Sequence, residues 1–134
     1  MMMDKYYALL KPDGLDLKEM REYTSDMMCS VHILIPKKKL WRINEREFMF
    51  LRRDSINKSY FDELMKNYCN QTHELIQLDL TRLNQSHRVF ALDPIRKAVR
   101  EQYATSILIN GIHIPTLNES LIENVYYDMI MKQK

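Results

Sequence analysis

The apolar and polar positions alternate between strand and helix periods along the whole chain. Lys5–Leu10 (K-Y-Y-A-L-L) is a compact aromatic and apolar run stopped by Lys11-Pro12-Asp13-Gly14, which predicts a buried strand ending in a turn, with Lys11 at its exit. Over residues 15–28, Leu17, Met20, Met27 and Met28 fall near helical spacing, with Lys18, Glu19, Arg21 and Glu22 on the other side. Residues 30–35 (S-V-H-I-L-I) are short and β-branched. They predict a second strand, ended by Pro36 in a manner that suits a sheet edge, and His32 reads there as a packed or edge histidine. Asn44 followed by Glu47 predicts a capped helix running through Arg53. Ser59 followed by Asp62 predicts another over 60–68, with Phe61, Leu64, Met65 and Tyr68 on one side, so that the two helices form a hairpin.

Residues 72–80 predict a third strand; His73 beside Glu74 has no second metal ligand at useful spacing. Ser86 can cap a short helix holding Arg88, Val89, Phe90 and Leu92, and Asp93-Pro94 starts a second one over 95–103. Residues 105–114 read locally as a strand interrupted at Asn110-Gly111. Thr116 with Glu119 forms a further capping box, after which Leu121, Ile122, Val125, Met129 and Ile130 make the expected buried stripe of a last helix. The order reduces to βαββαβ, an α+β, ferredoxin-like arrangement in which an antiparallel four-stranded sheet carries helices on its faces. No repeat, linker or low-complexity tract divides it, so residues 1–134 read as a single domain. RNA-binding modules share this layout, but their paired-aromatic fingerprint is absent here.

Composition narrows the picture. A chain of 134 residues can bury roughly two-thirds of its unfolded surface without disulfides or metals. A hydrophobic fraction of 46% and a charged fraction of 28% are ordinary for a globular protein, and no run has the length of a membrane span. The opening M-M-M-D does not read as a signal peptide, and Cys29 and Cys69 form neither a metal spacing nor a disulfide framework; the expectation is a cytoplasmic protein with reduced thiols. A net charge of +2 is too small to imply nucleic acid by itself, which is not an expected partner, and Lys37-Lys38-Lys39 and Arg52-Arg53 read as solvated surface. Two glycines are too few for a phosphate-binding glycine loop or a dinucleotide fingerprint, and neither pattern occurs.

Candidate chemistry concentrates near the end, in R-E-Q-Y-A-T-S-I-L-I-N-G-I-H from Arg100 to His113, together with the N-terminal K-P-D-G. Arginine and lysine hold phosphate oxygens, asparagine orients a hydroxyl, and a neutral imidazole can take a phosphoryl group covalently. K-P-D-G after an apolar strand, S-Y-F-D-E-L in the middle and the spacing of Arg100, Asn110 and His113 resemble a nucleoside diphosphate kinase. That likeness covers nearly the whole chain.

The resemblance implies transfer of the terminal phosphate of a nucleoside triphosphate to a diphosphate through a phosphohistidine on His113, with Mg²⁺ carried by the nucleotide and no protein-bound metal. It implies Lys11, Arg88 and Arg100 as the cations on the phosphates and Asn110, with the lysine, on the ribose hydroxyl. Tyr60 takes the place of the aromatic that stacks on the base, and Leu64 lines the same side. A carboxylate of the last helix holds the histidine's other ring nitrogen; Asp128 is the candidate, beside the expected apolar stripe, with Glu123 the alternative. It also places the strand around His113 with loop before Asn110. Self-association follows as well, a dimer or tetramer rather than a hexamer, because the stretch between Arg88 and Arg100 is shorter than in the family.

Other departures stand out. Leu51-Arg52 replaces a polar or aromatic pair of the lid, Pro94 or Asp93 replaces a phosphate-binding threonine, and H-I-P-T-L-N-E-S replaces H-G-S-D. The alternative to an active kinase is a degenerate module of the same shape that binds nucleotide or a protein partner without turnover.

Overall fold

The computed structural model describes residues 5–12, 18–103, 112–114 and 120–133. Four strands form one antiparallel sheet in the order β2-β3-β1-β4: β1 (Lys5–Leu10), β2 (Leu34–Ile43), β3 (Gln71–Asp79) and β4 (Ile112–His113). Among the described residues five α-helices accompany them: α1 (Lys18–Ser30), α2 (Glu45–Leu51), α3 (Phe61–Tyr68), α4 (Gln85–Tyr103) and α5 (Ser120–Lys132), with a short 3₁₀ turn at Arg53–Ser55. This is the expected ferredoxin-like α+β arrangement.

The sheet is covered on both sides because its two central strands carry apolar residues in both phases of the pleat. Ala8 and Leu10 of β1 and Ile76 and Leu78 of β3 face a core built with α1 and α4, through Met20, Met28, Leu92, Ile95 and Val99. Tyr7 and Leu9 of β1 and Leu75 of β3 face the other core, made with α2, α3 and α5 through Phe48, Leu51, Phe61, Tyr68, Tyr127 and Ile130. Lys11 and His113 both lie where β1 and β4 meet, since β4 pairs Leu9 with His113 and Leu10 with Ile112.

Several boundaries differ from the sequence reading. The second strand begins at Leu34, not at Ser30, because α1 continues through Ser30 and closes on a left-handed His32 (φ 65°). His32 donates its N–H to the Cys29 carbonyl and Ile33 donates to Met28, which completes the helix end. The strand then runs through the lysines to Ile43; Pro36 lies in the edge strand β2 where its pairing with β3 slips between Leu34 and Lys37. Lys39 uses its ammonium on the Ile130 and Gln133 carbonyls, 2.8 and 2.5 Å away, and so caps the end of α5.

The capping box at Asn44 and Glu47 is present in both directions, but α2 ends at Leu51. The helix expected from Ser59 starts at Phe61 instead, without a side-chain cap. The two helices expected around Asp93-Pro94 are one continuous α4, with Pro94 inside it and exposed. Leu92, Ile95 and Val99 keep a single apolar stripe in phase across the proline, and their packing outweighs the lost backbone bond. Arg96 ties α4 to the chain after β4, donating from Nε to the Ile114 carbonyl at 2.8 Å while Nη1 holds Asp93 at 2.6 Å. The capping box expected at Thr116 and Glu119 lies outside the described residues, as does most of the 105–114 stretch; β4 itself is described only at Ile112–His113.

The largest correction concerns α5. Of the stripe expected to be buried, Ile122, Val125 and Met129 are 54%, 53% and 57% exposed and Ile130 faces the core, while the side chain of Leu121 lies outside the described ones. The inward face is Glu123, Asn124, Tyr127 and Ile130. The cause is local. Among the described residues β4 pairs with β1 at Leu9 and Leu10, and the Tyr7 N–H is taken by the Asn124 side chain at 3.2 Å, so α5 is held by a backbone donor of the sheet. Asn124 facing in carries Tyr127 with it, three residues on, and Glu123 lies four residues before Tyr127 on the same side.

Candidate functional site

Five elements meet around His113. The ring sits on β4, and its Nε2 is 3.0 Å from Glu123 Oε2 on α5. The second oxygen, Glu123 Oε1, accepts from Arg52 Nη1 at 3.1 Å. Tyr127, one turn along α5, donates its hydroxyl to Glu123 Oε2 at 3.3 Å. Arg52, just past α2, reaches with Nη2 to the Tyr68 hydroxyl at the end of α3, 3.1 Å away, and with Nη1 to the Leu51 carbonyl. All three side chains are nearly dry, with 13% of His113, 8% of Glu123 and 11% of Arg52 exposed.

Tyr68 is the hub of a second layer. The Lys11 ammonium lies 5.3 Å from its ring centre and the Arg52 guanidinium 5.2 Å, within reach of a cation–π attraction. His73, the first inward residue of β3, stacks on the same ring with centres 5.1 Å apart and planes 26° from parallel. Its Nδ1 lies 3.0 Å from the Gln71 carbonyl and is therefore the protonated nitrogen; its buried Nε2 has no hydrogen-bond partner among the described residues. Lys11 is itself buried, which is unusual for a lysine and confines its charge to this corner.

Electrostatics follow the geometry. Burial, then the Arg52 charge, pushes His113 down to about 4, although the Glu123 hydrogen bond and charge pull the other way; Arg100 adds a smaller push down. At neutral pH the ring is uncharged, and Nε2–H donates to the carboxylate. His73 is also pushed down to about 4, by burial first, against the pull of the Gln71 carbonyl, with Lys11 and Arg52 assisting. Burial works against the Glu123 carboxylate, but His113 and Arg52 outweigh it and hold it below its usual range. Burial likewise opposes the Arg52 cation and is outweighed by Tyr68, Tyr127 and Glu123, which raise its pKa.

The expected site residues separate accordingly. Lys11 and His113 lie at the adjoining β1 and β4 ends, and the field of Arg100 on α4 reaches His113. Arg88 turns back to the chain before α4, donating to the Leu83 carbonyl at 3.1 Å and the Thr81 carbonyl at 3.5 Å. Tyr60 is exposed at the start of α3, while Leu64 is packed in the core beneath it rather than lining an open surface. Asn110 lies outside the described residues. The carboxylate beside His113 is Glu123, not Asp128. Asp128 accepts from the Tyr7 hydroxyl at 2.5 Å and pairs with Lys132 at 2.8 Å, one turn further round α5. Its lowered pKa comes from those two partners, and with Gln77 it helps anchor Tyr7, whose hydroxyl burial and Asp128 push up to about 12.

The places of Tyr68, Tyr127 and Arg52 in this network were not foreseen. The one sequence signal for them was the i, i+4 pairing of Glu123 with Tyr127, which gains meaning only once the inward face of α5 is known. Among the described residues, no group of three or more His, Cys, Asp and Glu is placed to hold a metal ion, and no helix is long and apolar enough to cross a membrane.

Comparison with solved structures gives this architecture a counterpart. The chain is similar to the nucleoside diphosphate kinase of Halobacterium salinarum, solved in complex with CDP, at a TM-score of 0.72 and 15% identity over 95% of this chain and 87% of that one. It matches the nucleoside diphosphate kinase of Encephalitozoon cuniculi at 0.70 and 12% identity, over 97% of this chain and 88% of the other. The Aquifex aeolicus enzyme matches at 0.67 and 17% identity, over 93% and 94%. The fold is therefore the ferredoxin-like fold of nucleoside diphosphate kinases, over nearly the full length of the chain. No family model matches the sequence, and no curated protein matches it.

Proposed function

We propose that the chain is a phosphotransferase of the nucleoside diphosphate kinase type, with His113 as the group that carries the phosphoryl. The observation that supports this most is the His113–Glu123 pair: a neutral, nearly dry imidazole whose Nε2 is held by a carboxylate at 3.0 Å, in a fold shared with such kinases. With its proton on Nε2, the ring keeps its lone pair on Nδ1. That lone pair attacks the terminal phosphorus of a nucleoside triphosphate, an N–P bond forms, the bridging P–O bond breaks and the diphosphate leaves with the electron pair. The positive charge gained by the ring is met by Glu123. In the return step a terminal oxygen of a second diphosphate displaces the imidazole, and the ring is regenerated.

Phosphoryl transfer needs positioning and positive charge more than other chemistry. Lys11 and Arg100 are the cations assigned to the phosphates, Asn110 to the ribose, and exposed Tyr60 to the base, where stacking would tolerate any nucleobase. Mg²⁺ enters as part of the substrate, the Mg–nucleotide complex. A nucleotide-binding module without turnover is the second reading, favoured by Arg88 being engaged with Thr81 and Leu83 and by Leu64 being withdrawn into the core.

The deciding experiment is incubation of the purified protein with Mg²⁺ and γ-³²P-ATP, followed by electrophoresis under alkaline conditions. An alkali-stable, acid-labile label that disappears in His113→Ala is the expected result. Calorimetric binding of ADP with no label on the wild type at saturating ATP would replace the kinase with the binding module.

A further inference from the structure

Arg52 has the charge of a phosphate-gripping residue, but the structure commits it elsewhere. Nη1 goes to Glu123 Oε1 at 3.1 Å and to the Leu51 carbonyl at 3.3 Å, and Nη2 goes to the Tyr68 hydroxyl at 3.1 Å. The guanidinium plane is packed against the Tyr68 ring, and that ring is fixed in turn by its stack on buried His73. The two oxygens of Glu123 are thus divided: Oε1 belongs to Arg52, and Oε2 serves His113 Nε2 and the Tyr127 hydroxyl. A carboxylate anchored at one oxygen by a rigid donor cannot swing about its last bond, so its other oxygen stays aimed at the ring.

We infer that Arg52, clamped by Tyr68, is a positioning residue that aims Glu123 at His113 Nε2, so that Nδ1 is the nitrogen left to react. Its effect on transfer rests on the phosphotransfer reading; its effect on the imidazole does not. The side chain comes from one of the stretches where this sequence departs from the kinases it resembles, and a support of this kind must be rigid to within a fraction of an ångström to be useful. Among the described residues, the groups that act on the ring directly are Glu123 from α5 and the charges of Arg52 from beyond α2 and Arg100 from α4; Tyr127 reaches it through Glu123, and Tyr68 through Arg52. Of these, Arg52 holds Glu123 and also opposes a proton on the ring.

The test uses the full chain as wild type, Arg52→Met, Arg52→Lys and Tyr68→Phe, with ¹⁵N-imidazole spectra recorded between pH 4 and 8 and single-turnover labelling over a range of Mg–ATP concentrations. Wild-type His113 should show one Nε2–H tautomer. In Arg52→Met the tautomers should mix and the His113 midpoint should rise by about one pH unit or more, because a nearby cation is lost. The maximal labelling rate should fall about tenfold or more while half-saturating ATP stays within roughly threefold, the signature of a residue that does not touch substrate. Arg52→Lys should restore the midpoint, returning the charge, but only part of the rate, lacking the fork.

Tyr68→Phe keeps the ring and the guanidinium and removes a single acceptor, so it reads the clamp even where Arg52→Met does not fold; it should mix the tautomers to a smaller degree. An unchanged His113 tautomer and midpoint in Tyr68→Phe and in whichever Arg52 variants fold overturns the inference. So does an effect confined to half-saturating ATP, which would make Arg52 a phosphate ligand. A wild type with the fixed tautomer but no labelled histidine overturns the kinase reading alone, and the spectra of the variants still decide the clamp.

Discussion

Glu123 carries a charge in a nearly dry place, and such a charge is tolerated only when its lone pairs are filled. Arg52, His113 and Tyr127 fill them. Asp128 is different: its carboxylate stands at the rim, between a tyrosine hydroxyl and a lysine. Removing the charge at 123 should therefore weaken both the hold on the His113 ring and its ability to carry positive charge, whereas the same change at 128 should reach the ring only indirectly. A charge-assisted hydrogen bond of about 1.5–3 kcal/mol corresponds to roughly a ten- to hundredfold loss. Glu123→Gln is expected to slow phosphohistidine formation by that factor, and Asp128→Asn by less than about threefold. Initial labelling rates measure both, and equal effects would return the holding role to Asp128. The places of Lys11 at the exit of β1 and of His113 in a strand were legible in the sequence through a turn motif and a spacing. Glu123 was only the second choice, because choosing between two carboxylates on one helix requires knowing which side of the helix faces the sheet.

That side is decided at the level of the element. Apolar periodicity assumes that the apolar stripe turns inward, and it served well for α1, where Met20 and Met28 are buried, and for α4, where Leu92, Ile95 and Val99 are. In α5 the inward face was taken instead by Asn124, which satisfies the Tyr7 N–H, and by the groups around His113. Large aromatic bodies compensate: Tyr127 packs against Tyr7 and Trp41. The two helices expected at Asp93-Pro94 failed for the opposite reason, since an unbroken stripe overrode a local breaker. Equilibrium urea unfolding separates the two faces of α5. Val125→Ser, on an exposed position, should change stability by no more than about 0.5 kcal/mol. Tyr127→Ala should cost about 3–5 kcal/mol, as for a large aromatic removed from a core. Comparable losses at both positions would mean that the helix is turned as its apolar pattern alone implies.

Across the whole molecule, the βαββαβ sequence of elements and the antiparallel sheet with helices on its faces were legible because they rest on repeated patterns. The dry corner at the β1, β3 and β4 ends was not, because it is assembled from residues far apart in the chain: Lys11, Arg52, Tyr68, His73, His113 and Glu123. Its cost should appear as acid sensitivity. His73 and His113 are both pushed to about 4 in the folded chain, against about 6.5 for an unperturbed histidine. Between those values the unfolded chain binds protons that the folded chain refuses, so folding becomes less favourable as pH falls; above the unfolded value the contribution is fully present. Each histidine contributes a slope of up to about 1.4 kcal/mol per pH unit in that window. The lowered carboxylates Asp79, Glu123 and Asp128 add their loss only further down, as they begin to protonate. Urea midpoints measured from pH 7.5 to 4.5 should hold level at first and then decline steeply below about 6.5. Replacing His73 with Phe, which keeps an aromatic ring against Tyr68 and removes the titrating nitrogens, should remove one histidine's share of that slope and leave the rest. A midpoint that stays level down to pH 4.5 would mean that neither ring is held neutral, and the corner around His113 would then be wetter than its packing implies.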